Sequence, residues 1–174
     1  MTMAPALTRP LRDEHRELLP NIEMLRSTAD LVGVAMTEQV CSLLDEAHEF
    51  LVEHLLPHAE AEDRVLYPAV EQAMGAPGAT KTMSRDHVAI VRLADELGWL
   101  RGQLRGSTVT LDQAMALRRV LYGLHAIVKL HFEKEEELYL PVLDRWLIEE
   151  RAGVLFRLMG ETTAAAKASA HRAG

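Results

Sequence analysis

Apolar residues recur at steps of three and four along most of this chain, which is the spacing of amphipathic α-helices. Four long stretches show this spacing, over about residues 10–31, 37–74, 82–104 and 110–141. No stretch shows the strict alternation of apolar and polar residues that a half-buried strand needs. Glycine-containing segments separate the stretches, at Gly33, Gly75-Ala76-Pro77-Gly78 and Gly106-Ser107. The pattern predicts an all-α fold, an up-down-up-down four-helix bundle.

Three prolines fall inside the predicted helices, Pro20 in the first and Pro57 and Pro68 in the second. A proline has no backbone N–H to donate and its ring crowds the preceding turn, so we expect bends at these positions. The start of the fourth helix is marked by Thr110 and Gln113, which have the spacing of a capping box.

A shorter fifth helix is expected after Pro141, over about residues 143–159. From residue 161 onward the chain is rich in alanine and poor in large apolar side chains, so we expect it to be flexible. The predicted organisation is an N-terminal arm (1–9), a four-helix domain (10–145), a short C-terminal helix (146–160) and a flexible tail (161–174).

Length and composition narrow the class of protein. A chain of 174 residues fits one domain. Its single cysteine, Cys41, excludes an internal disulfide and any metal site built from several cysteines. The net charge of −7 disfavours nucleic acid and anionic membranes as partners. No apolar run approaches the roughly 18 residues of a membrane span, and the first residues lack the apolar block of a signal peptide. We therefore expect a cytoplasmic protein.

Eight histidines are the unusual feature of the composition. Four of them, with two glutamates, occur in the same order in both halves of the chain: His15, His58 and Glu62, then His87, His131 and Glu135. The two sets are offset by 72 or 73 residues, and Pro68 and Pro141 keep the same offset. This repeat predicts a duplicated helical hairpin with a pseudo-two-fold axis.

The spacing within the repeat predicts that these side chains converge. Each glutamate follows a histidine by four residues, so both lie on one face of a helix, one turn apart. A single histidine on such a face is more often a hydrogen-bonded core residue, and a His–Glu pair is often a surface ion pair. Six inward polar groups in a chain with only 5% aromatic residues would leave several atoms unpaired, at about 1–3 kcal/mol each. We therefore interpret the six residues as metal ligands.

The ligand types indicate which metal is expected. Imidazole and carboxylate without thiolate suit iron or manganese better than structural zinc. Six ligands in two equivalent sets are too many for one tetrahedral ion and suit two ions bridged by the glutamates. Neither the Glu-x-x-His pairs of ferritin-like sites nor the His-Glu-x-x-His helix of zinc proteases is present.

This order of ligands resembles the hemerythrin-like HHE cation-binding domain, in its bacterial type. The residues that carry the resemblance are His15, His58-Ala-Glu-Ala-Glu62, His87 and His131-Phe-Glu-Lys-Glu135, with Leu66-Tyr67-Pro68 and Tyr139-Leu140-Pro141 at the repeat ends. The resemblance covers about residues 10–145. It implies a non-haem di-iron centre, two iron ions bridged by an oxide or hydroxide and by Glu62 and Glu135.

One position departs from the oxygen-carrying members of that family. Those proteins have a fifth histidine one turn after the one on the third helix, where this chain has Val91. Reversible oxygen transport is therefore disfavoured, and the missing ligand would come from water, an anion or another side chain. Three side chains are candidates: His54, Tyr139 and Glu136.

The remaining polar residues near the motif have simpler expected roles. His54 is alternatively a core histidine outside the ligand set, and Tyr139 a core tyrosine bonded to a carboxylate. Glu14 and Asp86, which precede the first histidine of each half, either are solvated or orient imidazoles by accepting hydrogen bonds, and we favour solvation. Three histidines fall off the ligand stripe and are assigned no role: His48, His125 and His171.

The resemblance leads to two hypotheses about function. The first is an oxidative-stress protein that decomposes hydrogen peroxide in a catalase-like cycle, as described for some bacterial hemerythrin-like proteins. The second is a protein that binds or senses dioxygen or nitric oxide, or handles iron, without turnover. A helical bundle that binds no metal is the remaining alternative. The expected partners are small molecules, and the sequence does not determine the oligomeric state.

Overall fold

A computed structural model of the protein describes residues 6–35, 37–104 and 108–173. The first five residues of the expected N-terminal arm and the predicted Gly106-Ser107 turn lie outside these ranges. Within them the chain forms five helices and no strands: α1 (Arg9–Leu31), α2 (37–74), α3 (Lys81–Gly102), α4 (111–146) and α5 (Glu149–Ala173). Helix α1 packs against α2 and α4, and α3 packs against the same two helices. The predicted all-α bundle with a C-terminal helix is confirmed.

The helix ends follow local sequence signals. Thr110 and Gln113 form the predicted capping box, because the Gln113 backbone N–H donates to Thr110 Oγ1 and the Thr110 N–H donates to Gln113 Oε1. Gly75 ends α2 in the left-handed region, with φ of 62°. Glycine has no Cβ and adopts this conformation at little cost, which is why the chain can turn there.

Three wide π-helical turns interrupt α2 and α4, at Leu51–Leu55, Glu62–Leu66 and Glu135–Tyr139. Each is followed by one residue and then a proline: Pro57, Pro68 and Pro141. The wider turn accommodates the proline ring and its missing N–H, and it adds one residue to the turn. The residue that shares a face with the first residue of each turn is therefore five positions later, not four. Pro20, by contrast, lies within the uninterrupted α-helix α1.

Two apolar clusters fill the bundle at different heights. The larger is formed by the C-terminal part of α1, the start of α2, the C-terminal part of α3 and most of α4. The smaller contains Leu11 of α1, the end of α2, Met83 of α3, the end of α4 and the first part of α5. The predicted ligand positions fall between the two clusters along every helix, so apolar side chains enclose that layer from both ends.

Helix α5 packs against residues 56–61 of α2 and is longer than expected. Ala152, Leu155 and Met159 bury its first part in the smaller cluster. We expected the chain to be flexible from residue 161, but the helix continues to Ala173. Alanine is the strongest helix former, so an alanine-rich segment extends a helix even where it buries few large side chains. None of the helices in the described ranges is both long and apolar enough to cross a membrane.

Candidate metal centre

Six polar side chains are buried together in the layer between the two apolar clusters. Each of the helices α1 to α4 contributes one histidine, and α2 and α4 each add a glutamate: His15, His58, Glu62, His87, His131 and Glu135. The most exposed of the six, His87, has only 4% of its surface accessible. The structure thus brings together all six residues that the sequence analysis proposed as ligands.

The nitrogen atoms form two groups that share the Glu62 carboxylate. Nε2 of His58 and Nε2 of His15 lie 2.9 Å and 3.7 Å from Glu62 Oε1. Nε2 of His87 and Nε2 of His131 lie 3.2 Å and 3.8 Å from Glu62 Oε2. Within each group the three ligand atoms lie within 4.8 Å of one another. Glu62 therefore offers one carboxylate oxygen to each group.

Glu135 spans the same two groups from the opposite helix. Its Oε2 lies 3.4 Å from His15 Nε2, and its Oε1 lies 3.7 Å from His131 Nε2. The two glutamates of the repeat thus occupy equivalent places, as the pseudo-two-fold relation of the halves predicts.

Tyr67 is a site residue that the sequence analysis missed. Its hydroxyl donates to Glu135 Oε1 at 2.8 Å and lies 3.1 Å from His131 Nε2 and 3.3 Å from His87 Nε2. The π-helical turn after Glu62 brings it there, because its backbone N–H bonds to the Glu62 carbonyl five residues back. The available signal was Pro68, which favours a wide turn just before it.

Five buried atoms of the ligand set have no hydrogen-bond partner in the described residues: His15 Nε2, His58 Nε2, both oxygens of Glu62 and Glu135 Oε2. Several are close to one another, yet they are not aligned as hydrogen bonds. Each such atom costs about 1–3 kcal/mol when buried without a partner. A cation among them would bind their lone pairs and remove this cost. The donor set therefore fits a metal with imidazole and carboxylate ligands.

Each imidazole is held from behind by a carboxylate, through Nδ1. The partners are Glu136 for His15 (2.9 Å), Glu14 for His58 (3.0 Å), Asp63 for His87 (2.8 Å) and Asp86 for His131 (3.2 Å). We call Glu14, Asp63, Asp86 and Glu136 the outer carboxylates. Such a partner fixes the proton on Nδ1 and leaves Nε2 free for a metal, which is a common arrangement around metal-binding histidines.

The outer carboxylates correct two expectations. Solvation was the favoured expectation for Glu14 and Asp86, but both contact an imidazole of the adjoining helix, which is the alternative role considered for them. Glu136 was a candidate ligand, yet its carboxylate contacts His15 Nδ1, on the outer side of the ring. Asp63 follows Glu62 and Glu136 follows Glu135, and each holds a histidine of the other half of the repeat.

Carboxylates outnumber arginine and lysine side chains around the site. Among the described residues, six carboxylates contact the imidazoles, whereas Arg12 pairs with Glu136 and Lys134 pairs with Asp86. Arg12 is additionally shared with Asp144. An excess of buried and half-buried carboxylates favours the binding of multivalent cations.

The pKa values of the site reflect this excess of carboxylates. Burial by itself would lower the pKa of His58, but Glu62 and Glu14 outweigh it and raise the pKa well above its usual value. Burial and the charge of Glu62 raise the pKa of Glu135 to about 7. Burial, with the charges of Glu62 and Glu135, raises the pKa of Tyr67, so its phenol stays protonated. Protons and metal cations therefore compete for the same positions.

An aromatic ring distinguishes one pair of histidines from the other. Phe132 stacks on the imidazole of His15, with ring centres 4.2 Å apart, and meets His58 edge-on at 5.7 Å. The ring of His131 lies farther from Phe132, at 6.3 Å, and the His87 and His131 pair faces the Tyr67 hydroxyl. Both histidines next to Phe132, His15 and His58, have an unpaired Nε2 atom. The Nε2 atoms of His87 and His131, next to Tyr67, are not among the five unpaired atoms.

Other side chains considered in the sequence analysis lie away from the ligand atoms. His54 is exposed and stacks near Phe50, because the π-helical turn at Leu51–Leu55 rotates it away from the face of His58. Tyr139 donates to the Ala79 carbonyl at 3.4 Å, since the third π-helical turn directs Leu140 inward in its place. Val91, at the position where the oxygen-carrying members of the family have a fifth histidine, is 41% exposed.

Comparison with known proteins places the chain in a family. Residues 6–143 match the model of the hemerythrin HHE cation-binding domain. No curated protein and no solved structure matches the chain at a significant level. Because the matched segment covers most of the chain and contains all six clustered ligand residues, this protein belongs to the hemerythrin HHE cation-binding domain family.

Proposed function

We propose that this protein holds two iron ions between its four inner helices and decomposes hydrogen peroxide. His15 and His58 would bind one ion, His87 and His131 the other, with Glu62 and Glu135 bridging them. The observation that carries the proposal is the pair of buried imidazole groups on either side of one shared carboxylate. Two imidazoles for each ion leave positions for a ligand that spans both.

The proposal rests on the chemistry that such a pair supplies. When bound, two iron ions can accept and return two electrons, so that one peroxide is reduced to two waters and a second is oxidised to dioxygen, with two protons passed between them. The Tyr67 hydroxyl is a hydrogen-bond donor held inside the site. The outer carboxylates, 21–44% exposed, connect the imidazoles to solvent and keep their Nδ1 protonated.

A second candidate function is the binding or sensing of dioxygen or nitric oxide, or iron handling, without turnover. A separate observation supports it. The stacked Phe132 ring covers His15 and leaves it 2% exposed. A covering ring limits water around the ions, which favours retention of a neutral diatomic molecule over release of products.

Metal analysis and peroxide turnover test these alternatives together. Protein loaded anaerobically with ferrous iron is expected to retain two irons per chain, to gain the visible absorption of an oxygen-bridged ferric pair in air, and to release dioxygen from peroxide. Two irons without dioxygen release would favour the binding function. A chain that retains no iron or manganese would exclude both functions in favour of a metal-free bundle.

A further inference from the structure

A cavity of about 770 Å³ lies between α1 and α4, beside one end of the candidate metal centre. Leu19 and Pro20 of α1 and Phe132 of α4 contribute apolar walls, and His15 is also part of the lining. The cavity is thus in contact with a proposed metal ligand. A second cavity, of about 300 Å³ between α1 and α5, includes Glu14 but none of the four site histidines in its described lining.

Phe132 lines the larger cavity and also lies against two of the ligand imidazoles. It is 4% exposed, its ring centre lies 4.2 Å from that of His15, and it meets the His58 ring edge-on at 5.7 Å. The position of this one ring therefore affects how closely a molecule in the cavity can approach the two imidazoles. Further along α4, Glu136 holds His15 Nδ1 and is itself held by Arg12, so that end of the cavity is fixed by polar contacts.

The charges around the cavity do not favour anions. Three cationic side chains line it, and each is paired with a carboxylate: Arg12 with Glu136, Arg16 with Asp13 and Lys129 with Glu23. Glu133 and Glu137 also line the cavity, so its carboxylates outnumber its cations. An opening with an excess of carboxylates and apolar walls admits small neutral molecules more readily than anions, which would be repelled and would have to shed their hydration.

We propose that the cavity between α1 and α4 is the entrance by which a small neutral molecule of two heavy atoms reaches the metal centre, and that Phe132 sets the size limit. Dioxygen, nitric oxide and hydrogen peroxide share this chemistry. The inference rests on the proposed function, since an entrance has a role only if a metal is bound in the site. It adds the route to the metal and the residue that limits the size of the entering molecule.

Blocking the entrance with a label tests the route. Leu19, which is 38% exposed in the cavity wall, is replaced by cysteine in a Cys41→Ser background and modified with a bulky maleimide. The matched control carries the same label at Met115→Cys, an exposed position on α4 outside the cavity lining. The readouts are metal content and the association rate of nitric oxide with the ferrous protein, neither of which depends on turnover.

The label at position 19 is expected to slow nitric oxide association about tenfold or more, with unchanged metal content, whereas the label at position 115 leaves the rate unchanged. Phe132→Trp is expected to slow association and Phe132→Leu to accelerate it. Equal rates in all labelled proteins that hold metal would overturn the entrance and leave the proposed function standing. Absence of metal from the unlabelled protein would overturn both.

Discussion

The two halves of the metal centre have the same ligands but different neighbours. His15 and His58 lie under the ring of Phe132, while His87 and His131 lie beside the hydroxyl of Tyr67. The positions that correspond in the repeat are occupied by Ala59 opposite Phe132 and by Leu140 opposite Tyr67. The two halves of the repeat therefore share the four histidines and two glutamates but not the residues around them.

The difference shows where the two half-sites could act differently. The half-site under Phe132 has unpaired Nε2 atoms and adjoins a cavity, whereas the Tyr67 hydroxyl already contacts both Nε2 atoms of the other half-site. Symmetric ligands favour equal binding of two ions, and asymmetric surroundings favour a small molecule arriving at one of them. Variants that change both half-sites test the binding of the two ions. Variants that change only one half-site test whether the small molecule arrives at one ion.

The largest effect is expected from Glu62, because its two oxygens serve both half-sites. Glu62→Gln should reduce metal content from two ions to nearly none, since an amide supplies neither the negative charge nor two equivalent oxygens. The metal content of each variant is measured by metal analysis after dialysis. The control is Glu60→Gln, which lies on the partly exposed side of α2. A variant that keeps both ions would show that Glu62 does not bridge.

Removal of one histidine should affect one half-site more than the other. His58→Ala and His131→Ala are each expected to lose one ion and to retain most of the second. His171→Ala should lose none, because that ring is exposed at the end of α5. Loss of both ions in both site variants would mean that the two half-sites bind metal only together, and equal metal content in all three would refute the ligand assignment.

The outer carboxylates are expected to have a smaller, symmetric effect. Asp63→Asn and Glu136→Gln, which change partners of His87 and His15, should each weaken metal binding about 10–100-fold while leaving the ligands in place. Competition with a chelator measures the affinity, and Glu53→Gln is a suitable surface control. An effect of one variant only would show that the two halves do not share this support.

The smallest effect is expected from the residue that differs between the halves. Tyr67→Phe removes the hydroxyl that contacts Glu135, His131 and His87, so the metal-free protein should lose about 1–3 kcal/mol of unfolding free energy. Chemical denaturation measures this loss. Bound metal should reduce it, because the metal then satisfies the same atoms, and a loss that is equal with and without metal would contradict this account.

The sequence by itself determined the helical bundle and which six polar side chains it buries together. Helical periodicity decides which face of each helix is apolar, and the His-x-x-x-Glu pairs lie on those faces at the same height in both halves. Their burial was therefore predictable from local spacing alone, as was the capping box at Thr110.

Only the tertiary structure decided what surrounds the ligands. Regular spacing put His54 and Tyr139 in reach of the site, but π-helical turns before the prolines rotate both away and turn Tyr67 inward. The pairing of His15 with Glu136 joins residues far apart in the chain and depends on how two helices pack. A prediction that assumes regular helical spacing includes neither the extra residue of a wide turn nor the contacts between helices. These features therefore depend on how the helices pack.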